Sequence, residues 1–145
     1  QYNFCIDLNE GMVKKSENVR LTLNQKAREL DKQKQDFQTK YQNNAYLSPE
    51  RAQQEYNRIA KLEQDLQTLS NKLQSELMSE NEKNSLQLRD SINAFLKEYN
   101  KTKGYSMIIS NTGFDNLLYA DSIYNITKEI VEGLNARYSS PAPKK

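Results

Sequence analysis

The sequence predicts a mainly α fold with a small β part (α+β): a long antiparallel helical hairpin arm on a small β/α base that oligomerises. Three observations carry this. Two long stretches place apolar residues at helical spacing, about 4–44 and 48–103, with one sharp break between them. A turn-rich segment of different period follows. Finally, with 36% hydrophobic and 28% charged residues among 145, the chain is too polar for a compact globule and too leucine-patterned for a disordered one.

In the first stretch Cys5, Leu8, Met12, Val19, Leu23, Ala27, Leu30, Phe37 and Tyr41 recur mostly three, four or seven apart, which puts them on one helix face. Lys26, Gln33 and Lys34 sit at or beside that seam, so a hydrated helix pair is expected rather than a tight zipper. Cys5 is the single cysteine, which excludes an internal disulfide, and it is expected as a small half-buried apolar side chain. Gly11 is the weak point, costing about 1 kcal/mol relative to Ala in a helix interior.

The break falls at 43–47, where Asn tolerates the left-handed conformation that ends helices. Ser48 then suits the N-cap, Pro49 the first helical position, and Glu50 the helix dipole. The second stretch carries Ala52, Tyr56, Ile59, Leu62, Leu66, Leu69, Leu73 and Leu77, then Leu88, Ile92, Phe95, Leu96 and Tyr99. Residues 79–85 between them are polar on every face and read as either a solvated helix or a bend. Folding back at 44–48 sets Cys5 near Gln87, and the apolar residues from 88 onward enter a broader core.

After Gly104 the period changes. Residues 105–110 and 117–120 are strand candidates joined by a turn at 111–113. A helix capped by Asn125 follows to Leu134, with Ile126, Ile130, Val131 and Leu134 on one side. Residues 139–145 read as a disordered tail. The whole is one domain over 1–138, with the arm at about 5–100 and the base at about 101–138. Two short strands make a marginal sheet, so the base calls for another strand or another subunit.

Several function classes are disfavoured. There is no His, hence no Ser-His-Asp triad and no commonest metal ligand. No Gly-rich phosphate loop occurs, and the scattered carboxylates, Glu80 and Glu82 included, read as a solvated face. No catalytic, cofactor or metal site is expected, and the chain is not an enzyme. With 21 basic and 19 acidic residues and no basic block, nucleic-acid binding is disfavoured. No run of about 18 apolar residues spans a membrane, while contact with a membrane surface stays open.

The stretch Gly104-Tyr105-Ser106-Met107-Ile108-Ile109-Ser110, then Leu118-Tyr119-Ala120-Asp121, Asn125-Ile126-Thr127-Lys128-Glu129-Ile130 and Leu134-Asn135 resembles the ending of the Skp/OmpH family of periplasmic chaperones. Asn125 stands where Asp is usual. In that family a β-strand precedes the first helix, and Gln1-Tyr2-Asn3-Phe4 looks like the segment just after it. The best-known members are strongly basic, and this nearly neutral chain departs from them. The resemblance implies a periplasmic homotrimer of a Gram-negative bacterium, its bases joined through a small β-barrel. Its arms would hold unfolded outer membrane proteins without ATP and prevent their aggregation.

On that reading Tyr105, Met107, Ile109, Leu117, Leu118, Ile126, Ile130 and Leu134 build the base and the subunit interface. Phe37, Tyr41, Tyr46, Leu47 and Tyr56, near the arm tip, either pack between the helices or offer adaptable contacts to a non-native client. The alternative is a structural coiled-coil or adaptor protein binding one folded partner. A prefoldin-like chaperone fits less well, because its β-hairpins lie between the two helices.

Overall fold

A computed structural model describes residues 1–110 and 117–140, so the expected turn at 111–113 and residues 141–145 of the expected tail lie outside the described residues. The described chain is mostly helical. Helix α1 spans Asn3–Gln42, α2 spans Pro49–Lys103, a 3-10 turn covers Ser122–Tyr124, and α3 spans Thr127–Ser139. The chain divides into two compact units, a helical-pair unit (Gly11–Asn81) and a terminal unit (Gln1–Glu10 with Glu82–Lys145).

In the helical-pair unit the chain reverses where the sequence predicts. Asn44 takes the left-handed conformation (φ 50°), and Ala45 N–H donates to Lys40 C=O at 2.9 Å. Ser48 Oγ then accepts the Arg51 amide at 3.3 Å. A hydrogen bond from Ser48 holds the Glu50 carboxyl below its usual range, so cap and first turn support each other.

Beyond the turn the seam follows the predicted period. Leu30, Ala52 and Ile59 are buried, and Met12, Val19, Leu23, Ala27, Leu62, Leu66, Leu69, Leu73 and Leu77 are half-buried. Two helices alone leave most of the seam partly wet, as the polar interruptions foretell. An ion pair joins Lys15 to Glu80 and another joins Lys34 to Glu63 at 2.7 Å. A register with Cys5 near Gln87 would set Lys15 opposite Leu77, so the observed pairing is slipped by nearly one turn. Residues 79–85 are helical within α2, and Glu80 there meets Lys15.

In the terminal unit Leu88, Ile92, Phe95, Leu96 and Tyr99 of α2 are half-buried, and Leu134 of α3 is its most buried residue. Helix α2 ends at Gly104, whose φ of 68° favours a residue without a side chain and whose N–H donates to Asn100 C=O at 2.9 Å. The Asn100 carboxamide then accepts from Tyr105 N–H and donates to Tyr105 C=O, fixing the exit of the chain.

Four expectations are revised here. Among the described residues no strand is found: 105–110 and 117–120 carry no regular secondary structure. Strand propensity depends on context, and two short strands by themselves make a marginal sheet. At α3 the capping position falls on Ile126, one residue after Asn125, although Asn125 Oδ1 still accepts the Thr127 amide at 3.0 Å. And α3 runs past Leu134 to Ser139, the first residue of the expected tail. Tyr138 anchors that extension: its ring lies 6.2 Å from Tyr2 and 5.3 Å from Phe4, and its hydroxyl donates to Asp7 Oδ2 at 2.7 Å. Cys5, expected half-buried, is exposed.

Candidate functional site

The expected contact residues lie in both units, and those of the helical-pair unit meet in one cluster. In the helical-pair unit the inter-helix turn brings four aromatic rings together. Phe37 lies at the centre, with ring centroids 5.6 Å from Tyr46, 5.8 Å from Tyr41 and 6.2 Å from Tyr56. Spacing i, i+4 on α1 sets Tyr41 beside Phe37, while the cap at Ser48 starts α2 so that Tyr56 returns to the same place.

The cluster divides into a packed part and an exposed part. Phe37 and Tyr46 are half-buried and pack the turn, and burial, then the charge of Glu55, raises the Tyr46 phenol pKa. Tyr41 and Tyr56 keep 62% and 57% of their surface exposed, and Leu47 is 96% exposed. A packed centre thus holds amphipathic side chains outward, giving apolar area with a hydroxyl at its edge.

In the terminal unit Met107, Ile109 and Leu118 are largely exposed, Leu118 at 98%. Tyr105 is stacked on Tyr99 at 6.4 Å. Leu117, Ile126 and Ile130 are half-buried. Ile109, Leu117 and Ile126 line one cavity of about 440 Å³, together with Tyr124. Leu134 is separate from this surface: it is 3% exposed and belongs to the chain's own core. Sequence reasoning left out Tyr119, Ile123 and Tyr124, all more than 70% exposed. Their alternation of aromatic and aliphatic side chains within the turn-rich segment was the available signal.

A charged staple fixes α3 beside this surface. Lys103 Nζ lies 2.6 Å from Glu129 and 5.4 Å from the Tyr99 ring centre. The Lys103 ammonium, and secondarily Tyr99, hold the Glu129 carboxyl below the usual range, and Glu129 in turn raises Lys103. The Tyr99 hydroxyl is buried beside them outside hydrogen-bond geometry, and its pKa is raised first by burial.

Among the described residues no group of three or more Cys, Asp or Glu side chains could hold a metal ion, and no helix is long and apolar enough to cross a membrane. What both units offer is exposed apolar contact area beside mixed charge.

A family model described as "Outer membrane protein (OmpH-like)" matches residues 1–134. The chain belongs to this OmpH-like family. A search of curated proteins finds no match. The match takes in both helices and α3 as far as Leu134, the core residue of the terminal unit. OmpH-like proteins are periplasmic in Gram-negative bacteria and are chaperones rather than enzymes, which supports a chaperone-type role in general for this OmpH-like chain.

Proposed function

We propose that the chain is an ATP-independent periplasmic holdase that binds unfolded outer membrane proteins along its paired helices and prevents their aggregation. The observation that carries this is the exposure of Tyr41, Leu47 and Tyr56 around a packed Phe37–Tyr46 centre, in a chain of the OmpH-like family. Weak, many-site apolar contact suits a client with no fixed shape, because no single pocket traps it. The balanced charge along α1 and α2 keeps the remaining helix surface soluble.

The proposal includes assembly as a homotrimer. Met107, Ile109 and Leu118 expose apolar area that a lone chain leaves in water, and the segments 105–110 and 117–120 carry no regular secondary structure in the single chain. In the assembly they form the small β part, with Tyr105, Leu117, Ile126 and Ile130 behind them and Leu134 in the core. Residues 1–138 then act as one domain.

Serine at all three of positions 41, 47 and 56 tests the holdase. The triple variant should keep the wild-type mass and helix content, and bind an unfolded outer membrane protein several-fold more weakly. Unchanged binding would remove these residues from the contact. Ile109→Asp tests assembly by sedimentation: the variant should dissociate, and one sedimenting like the wild type would contradict the proposed interface.

A further inference from the structure

We infer that Asn135, on α3, is the N-terminal cap of α1, supplied from the opposite end of the chain. Helix α1 begins at Asn3, and Ile6 N–H donates to Tyr2 C=O at 3.2 Å, which makes Tyr2 the capping position. Tyrosine does not cap its own helix: its one polar atom is at the far end of a rigid ring. The Tyr2 hydroxyl is instead paired with Ser91 Oγ at 2.9 Å. The first turn of α1 carries no acidic residue either. The local sequence therefore leaves the leading amides of a 40-residue helix without an acceptor.

Asn135 supplies it. Its Oδ1 accepts the Asn3 amide at 2.8 Å, and its Nδ2 donates to Gln1 C=O at 2.9 Å. One carboxamide thus takes both backbone groups that flank Tyr2, the pattern by which a residue on a parallel neighbouring strand would hold them. Leu134, the residue before it, is buried, so the position of Asn135 is set by the packing of α3. The first turn of α1 is consequently coupled to the docking of α3, whereas α3 keeps independent ties through Tyr138 to Asp7 and Lys103 to Glu129. This role is independent of client binding.

Amide hydrogen exchange on the full chain tests it, with Asn135→Ala and Asn135→Asp. Aspartate keeps an acceptor and adds negative charge at the positive end of α1; alanine removes both partners. Exchange of the Asn3 and Ile6 amides should rise about five- to ten-fold in Asn135→Ala and stay near wild type in Asn135→Asp. The Leu30, Ile59 and Leu134 amides should not change in either, which reports that both units are folded. Unchanged Asn3 and Ile6 exchange in Asn135→Ala overturns the assignment. So does equal acceleration in both variants, which would make Asn135 a packing residue. If Asn135→Ala does not fold, Asn135→Leu, which retains the bulk, takes its place with the same two outcomes.

Discussion

Gly133 on α3 lies against the ring of Phe95 on α2 so closely that a Cβ at Gly133 would clash with Phe95 Cζ and stand 2.9 Å from Cε2. The ring of Phe95 occupies the space that a methyl group at Gly133 would take. Gly133→Ala gains about 1 kcal/mol of helix propensity but forces the ring to move, and overpacking costs typically about 1–3 kcal/mol. The net expectation is a destabilisation of about 1 kcal/mol in urea unfolding, reversed when Phe95→Leu is added. A stabilised single variant would contradict the close approach.

The same substitution at Gly11 should act in the opposite direction. Gly11 lies inside α1, is exposed, and a Cβ added there would meet nothing within 4 Å. Gly11→Ala should raise stability by about 0.5–1 kcal/mol, through helix propensity and a less flexible unfolded chain. Calorimetry of the two alanine variants side by side reads both signs.

Gln33 offers a third test. Its Oε1 atom is buried in the seam without a hydrogen-bond partner, beside a cleft of about 150 Å³ lined by Lys26, Leu62, Leu66 and Leu69. A buried unpaired polar group costs about 1–3 kcal/mol. Gln33→Leu should therefore stabilise the helical-pair unit by about 1 kcal/mol in chemical denaturation. A loss of stability would show that the amide is satisfied in solution.

The pairing of Glu129 with Lys103 predicts an acid response. Because Lys103 holds the Glu129 carboxyl below its ordinary value of 4.5, the folded state binds this proton less readily than the unfolded one. The contribution is fully present above about pH 4.5 and is lost as pH falls through the lowered value. Glu129→Gln should flatten this part of the stability profile of the terminal unit below pH 4.5 and reduce its salt dependence. A profile identical to wild type would show that the pair adds nothing.

Much of this was legible in the sequence because it is local. The seam from Leu62 to Leu77, the Ser48-Pro49-Glu50 start and the Gly104 stop each follow from spacing or from backbone chemistry within a few residues. The slipped register was not, because it depends on which residues of two distant stretches meet, and Lys15 and Glu80 are 65 positions apart. Nor were the contacts of Asn135 and Tyr138, which join residues more than 130 positions apart and leave no period behind. For the same reason nothing near Gly133 in the sequence marks its close approach to Phe95, which lies on another helix. Of the contact residues, aromatic content marked the Phe37 cluster. Only three dimensions separated packed Phe37 and Tyr46 from exposed Tyr41, Leu47 and Tyr56, and removed Leu134 from the exposed surface.

The most direct test dilutes a urea-unfolded outer membrane β-barrel protein into buffer containing the wild-type chain, without ATP, while light scattering follows aggregation and the mass of the complex. The proposed holdase predicts that scattering stays low and that the client is recovered bound to an oligomer of the chain. Aggregation at the rate seen without the chain, with no complex formed, would contradict it.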